Sequence, residues 1–114
     1  MKAQVIEFQT GKGLPKEAFE QIAPTVTEGR LVVFPTEVSY IIGGDAFNQS
    51  LVSRVRALRQ DAPSPLALYI SSITEFRLYA VPVLPRLRRA LERCLPSPYG
   101  VIVRATQAAP RACV

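Results

Sequence analysis

The sequence predicts an α/β (α+β) fold: a twisted mixed sheet flanked by helices. Three observations predict it. Short apolar, β-branched runs alternate with stretches whose apolar residues recur at helical spacing. Glycine or proline punctuates most of the boundaries between them. The chain has 114 residues and is 48% apolar, enough for one domain over 1–114 with a real core and no disulfide staples.

Residues 3–8 alternate loosely and read as a first strand. Residues 9–14 hold two glycines and read as a loop. Pro15 then opens a helical pattern, with Glu17 and Glu20 favouring its N-terminal end. Ala18, Phe19, Ile22, Ala23 and Val26 form its apolar stripe. Pro24 inside that stripe predicts a kink or an end. Gly29 is the expected stop before the next strand.

The stretch 31–46 organises the rest. Residues 31–34, Leu-Val-Val-Phe, suit a strand buried on both faces, and Pro35 ends it. Thr36, Glu37, Ser39 and Tyr40 then place hydroxyls and a carboxylate just past a strand end, where open α/β sheets bind ligands. Gly43 and Gly44 permit positive φ or a close backbone approach. The same residues also read as an ordinary strand, turn and glycine loop.

Asn48 is the expected N-cap of a second helix, whose apolar face is Leu51, Val52, Val55 and Leu58. Arg54, Arg56 and Arg59 lie largely off that face. Two prolines in 62–65 end it, and 66–70 read as a buried strand. Ser72 or Thr74 caps a short helical segment holding Phe76 and Leu78. Pro82 and Pro85 flank another helix, with Leu84, Leu87, Leu91 and Leu95 on one face and Arg86, Arg88, Arg89 and Arg93 on the other. Residues 99–105 form a last apolar strand, followed by a proline-containing tail.

Composition narrows the chemistry. There is no histidine, so the commonest general base and zinc ligand are missing. Cys94 and Cys113 form neither a disulfide framework nor a metal-ligand spacing; Cys94 reads as a small core residue and Cys113 as part of a mobile end. No metal-ligating residues are expected. The net charge is +5, and arginine supplies eleven of the fourteen basic residues. That balance suits a nucleotide or nucleic-acid partner, or equally a solvated basic surface. No apolar run is long enough to span a bilayer, so no membrane partner is expected. The N-terminal residues lack a signal-peptide core, which makes the cytoplasm the expected location.

Three motifs in order bring a family into view. Pro35-Thr36-Glu37-Val38-Ser39-Tyr40-Ile41-Ile42-Gly43-Gly44-Asp45-Ala46 follows a strand, Pro65-Leu66-Ala67-Leu68-Tyr69 lies on a second, and Pro96-Ser97-Pro98-Tyr99-Gly100 precedes a third. The chain resembles the YrdC-like family of threonylcarbamoyl-AMP synthases, whose pattern is P-T-E-T-x-Y-G-L-G-x-D-A, then K-x-R, P-L-x-x-H and P-G-P-x-T. The resemblance implies a YrdC-like fold, shortened at its C-terminal side, with a basic cleft. It implies an enzyme that would be a nucleotidyltransferase, joining L-threonine, bicarbonate and ATP with magnesium into threonylcarbamoyl-adenylate for tRNA modification. The alternative is a catalytically degenerate member that binds tRNA, other double-stranded RNA or nucleotide without catalysis.

Carried over residue by residue, the resemblance implies substrate contacts at Thr36, Glu37, Tyr40 and Tyr69, and nucleotide or phosphate contacts at Arg56, Arg59 and Ser97. Glu37 is either a ligand or a structural acceptor of backbone hydrogen bonds. Tyr40 is either a cleft wall or core.

Several positions depart from the pattern. K-x-R falls on Leu58-Arg59-Gln60, the family histidine on Tyr69, the glycine of P-G-P on Ser97, its threonine on Gly100, and the glycine after the tyrosine on Ile41. Arg59, Arg56 or Arg54 would have to replace the lost cations. Each charge-assisted bond to phosphate contributes about 1.5–3 kcal/mol, so losing two weakens ATP binding by orders of magnitude. A later S-x-N segment of the family has no match. A sheet shortened in this way exposes an edge that invites a homo-oligomer or a partner strand.

Overall fold

The computed structural model describes residues 2–9, 11–60 and 64–114. Four α-helices, one β-hairpin and a short terminal 3₁₀ turn follow one another: α1 (Lys16–Thr27), β1 (Val32–Pro35), β2 (Tyr40–Gly43), α2 (Gln49–Arg59), α3 (Ile73–Tyr79), α4 (Pro85–Cys94), then Arg111–Cys113.

Helix α1 begins after Pro15, whose fixed φ presets the first turn; the Phe19 amide donates to the Pro15 carbonyl at 3.0 Å. It does not stop at Pro24 but runs on to Thr27. The Thr25 hydroxyl donates to the Gln21 carbonyl and the Thr27 hydroxyl to Ala23 and Pro24, adding bonds around the residue that lacks a donor. Gly29, at φ 74°, ends the helix as expected: its amide reaches Val26 and that of Arg30 reaches Thr25, the crossed pair that a left-handed residue permits.

Strands β1 and β2 pair antiparallel, with Val33 opposite Ile42 and Pro35 opposite Tyr40. Side chains alternate along each strand, so Val33, Pro35, Tyr40 and Ile42 share one face, and Val32, Phe34, Ile41 and Gly43 the other. The second face is half-buried. The first is open, with Val33 61% exposed. The expectation of a strand buried on both faces is therefore corrected: nothing among the described residues covers Val33.

Helix α2 is capped by Asn48, whose side chain accepts from the Leu51 amide at 3.0 Å. It buries Leu51 and Val55 and closes on Gln60 in the left-handed region. Pro63, half of the proline pair expected to stop it, lies outside the described residues. Gly44 serves close approach and not positive φ: a β-carbon there would lie 2.5 Å from Leu51 Cδ1 and 3.0 Å from the Arg30 carbonyl oxygen. Helix α3 is capped by Ser72, which accepts from the Glu75 amide at 3.2 Å. Helix α4 starts at Pro85 and buries only Leu91, while its arginine face is exposed as expected.

The strands expected at 3–8, 66–70 and 99–105 form no ladder. A ladder needs successive bonds to a neighbouring strand; among the described residues 3–8 make no backbone bond, and the other two segments make isolated ones. The Leu66 amide donates to the Ala112 carbonyl, and Ala80 and Ala105 form a single bridge. The tail is docked: Pro110 is fully buried and Ala112 nearly so. Cys113 is accordingly half-buried and its amide bonds to Pro110, so the mobile end is corrected. Cys94 is exposed on α4, not core.

The buried apolar residues are Ala18, Leu51, Val55, Ala80, Leu91 and Ala112. The radius of gyration is 15.5 Å; a packed domain of this length has about 13 Å. The α/β composition stands, but its elements sit openly around a thin core. No helix among the described residues is long and apolar enough to cross a membrane.

Candidate functional site

The polar residues of 36–40 form the turn between β1 and β2, and Thr36 builds it. Its amide donates to the Ser39 carbonyl at 2.9 Å, and its hydroxyl donates to the same oxygen at 2.7 Å. The hydroxyl in turn accepts from the amides of Val38, at 3.4 Å, and Ser39, at 3.3 Å. A hydroxyl that both donates and accepts within four residues fixes a turn that has no glycine.

Three groups at this turn have no internal partner among the described residues: the Glu37 carboxylate, the Ser39 hydroxyl and the Tyr40 phenol. All three residues are exposed. Among the described residues Glu37 accepts no backbone hydrogen bond. Tyr40, 76% exposed, is not core. Just beyond, the Asp45 carboxylate accepts from the Phe47 amide at 2.9 Å and leads the backbone into Asn48.

Tyr69 comes to the hairpin from the other side. Its ring meets Phe34 edge to face, with centroids 6.0 Å apart. Phe34 belongs to the half-buried face and Tyr40 to the open one, so the two tyrosines lie on opposite faces. Ser97 accepts from the Tyr99 amide at 3.3 Å, a local turn. Arg56 stands close enough to Cys113 to act on its thiol: burial pushes that thiol's pKa up, and the guanidinium pulls it back. Arg59 has a partner of its own. No hydrogen bond, ion pair or ring contact joins Thr36, Glu37, Tyr40, Tyr69, Arg56 and Ser97 to one another. The turn itself holds Thr36, Glu37 and Tyr40 close in the chain, while Ser97 accepts within its own local turn and Arg56 acts on Cys113 through its charge.

The Ser71–Glu75 cluster has no sequence signal beyond the Ser72-x-x-Glu75 spacing beside it. The Glu75 carboxylate accepts from the Ser71 amide at 2.6 Å and the Ser71 hydroxyl at 2.8 Å, and these bonds hold its pKa below the usual carboxylate value. It serves the start of α3. Among the described residues no three acidic or thiol side chains come together to hold a metal.

The family model described as telomere recombination, Sua5_yciO_yrdC, matches residues 25–114. A threonylcarbamoyl-AMP synthase of Pyrococcus abyssi (strain GE5 / Orsay) is 29% identical over 87 residues, covering 75% of this chain and 26% of that protein. Two solved structures of Sua5 from P. abyssi share the fold at 25% identity. A doubly substituted form has a TM-score of 0.79 over 90% of this chain and 32% of that one. The complex with L-threonine has a TM-score of 0.78 over 90% and 30%. The chain thus spans about a quarter to a third of the length of these relatives. With three ordered motifs, the fold and the family model in agreement, the chain belongs to the Sua5/YciO/YrdC family.

Proposed function

We propose that this chain, over 1–114, is a YrdC-type module that binds L-threonine at the 36–40 turn and does not by itself complete threonylcarbamoyl-adenylate synthesis. The observation that carries the reading is the turn: a carboxylate and two hydroxyls, without internal partners, held by a fully engaged Thr36 hydroxyl. An amino acid presents the complementary groups. Glu37 suits its ammonium, and the Ser39 and Tyr40 hydroxyls suit its carboxylate or side-chain hydroxyl. The threonine-bound relative supports this substrate class.

Nucleotidyl transfer from ATP needs cations aligned with the bound substrate. Among the described residues neither Arg56 nor Ser97 bonds to the 36–40 turn: Arg56 acts on the Cys113 thiol through its charge, and Ser97 accepts from the Tyr99 amide. ATP with magnesium, and the tRNA-modifying reaction, are therefore proposed only for an assembly that supplies those groups. Calorimetry with the full chain tests the binding. Saturable heat with L-threonine, weakened at least about tenfold by Glu37→Gln, is expected; no heat at millimolar L-threonine overturns it. A parallel assay is expected to detect no pyrophosphate. Release that depends on threonine, bicarbonate and ATP would instead identify a complete synthase.

A second reading has its own observation. Arg86, Arg88, Arg89 and Arg93 are exposed on α4; Arg88 pairs with Glu92 at 3.7 Å and Arg89 Nε donates to the Pro85 carbonyl at 3.5 Å. Such a face supports RNA binding in the cytoplasm, tRNA or other double-stranded RNA. Affinity that falls steeply with salt is expected, and no binding at low salt rules the reading out.

A further inference from the structure

The segment 101–103 reads Val-Ile-Val, a β-branched run suited to a sheet. Among the described residues its backbone makes no hydrogen bond. Ile102 is fully exposed. The residues that follow are paired on one side only. The Arg104 carbonyl accepts from the Val81 amide at 2.8 Å, and the Thr106 amide donates to the Tyr79 carbonyl at 2.9 Å. The bridge between Ala80 and Ala105 lies between these bonds. Arg104 and Thr106 thus turn a carbonyl and an amide toward 79–81. The alternation of a strand turns those of Val101, Val103 and Ala105 the other way, toward an open edge.

We propose that this edge pairs antiparallel with the same edge of a second copy of the chain, with Ile102 on the two-fold axis. The pairing follows from the complementarity of the edge with itself and does not depend on threonine binding. Centred on Ile102, the pairing sets Val101 against Val103 of the partner subunit, and both residues direct their backbone groups across the edge. Two apolar isoleucines then meet at the non-hydrogen-bonded position, where side chains approach most closely. Arg104 falls opposite a glycine, so no like charges meet. Moving the centre to Arg104 would oppose two guanidinium groups and is disfavoured. Charge pattern and backbone direction therefore select one register. The exposed Leu87, which lines the same surface hollow as Ile102, widens the apolar contact beyond the strand. A stable interface needs about 800 Å² from each partner, more than three residues provide.

Sedimentation velocity of the full chain across micromolar concentrations tests the proposal. A concentration-dependent dimer is expected. Ile102→Asp, at a fully exposed position that carries no core packing, is expected to weaken it by at least about 30-fold, the scale of an interface anchor. Its circular dichroism is expected to stay unchanged. The register has its own readout. In a Cys94→Ser, Cys113→Ser background, Ile102→Cys is expected to oxidise to a covalent dimer, and Leu58→Cys, exposed on α2, is not. A monomer at every concentration overturns the proposal. So does a dimer indifferent to Ile102→Asp, or one that the Ile102→Cys thiols fail to cross-link.

Discussion

The ring of Tyr69 stands at 89° to that of Phe34, with centroids 6.0 Å apart. Tyr69 comes from a segment that forms no ladder, and this ring contact joins it to the hairpin. An edge-to-face pair contributes about 0.5–1.5 kcal/mol beyond the area it covers. A double-mutant cycle of Phe34→Leu and Tyr69→Leu, followed by urea unfolding, is expected to show a coupling in that range. A coupling near zero would mean that the rings are neighbours without interacting.

The Thr36 hydroxyl closes the turn with three hydrogen bonds. Thr36→Val keeps the shape and removes all three, and is expected to cost about 1–2 kcal/mol of stability. Thr36→Ser keeps the hydroxyl and is expected to cost under about 0.5 kcal/mol. Equal losses for the two variants would show that the methyl group, not the hydroxyl, holds the turn.

Gly44 lets Leu51 settle against the backbone at Arg30. Gly44→Ala forces Leu51 or the chain to shift and is expected to cost about 1–3 kcal/mol. Gly100→Ala, where an added β-carbon meets nothing within 4 Å, is the control and is expected to be close to neutral. Thermal unfolding of both variants separates crowding from any general effect of replacing glycine.

The Glu75 carboxylate is held below its ordinary pKa by the Ser71 amide and hydroxyl. Its folded value lies under its unfolded one. Its stabilising contribution is therefore present above the unfolded pKa and is lost as pH falls through the folded one. In an NMR titration Glu75 is expected to protonate below the ordinary value of 4.5. Ser71→Ala removes the hydroxyl bond and moves the midpoint part of the way back. An unmoved midpoint would assign the shift wholly to the backbone amide.

The helices and their ends were legible because they are settled within a few residues. Asn48, Ser72, Pro85 and Gly29 act on groups three to five positions away, and each is found where the sequence places it. The 36–46 motif was legible for the same reason: Thr36 and Asp45 satisfy backbone groups inside their own turns. Pro24 does not end α1, because one missing amide costs a helix a single bond and neighbouring threonine hydroxyls add others.

What the sequence determined by itself was the order of the four helices, the caps at Asn48 and Ser72, the strand before the 36–39 turn, and the family; it did not anticipate β2 (Tyr40–Gly43). Only the tertiary structure decided that 3–8, 66–70 and 99–105 have no ladder, that Cys113 is half-buried and Cys94 exposed, and that Tyr40 and Tyr69 lie on opposite faces. The physical reason is range. A helix or a turn closes its hydrogen bonds locally, whereas a strand must find its partner elsewhere in the chain. A β-branched run such as 101–103 records a readiness to pair; whether a neighbour meets it depends on the arrangement of everything else.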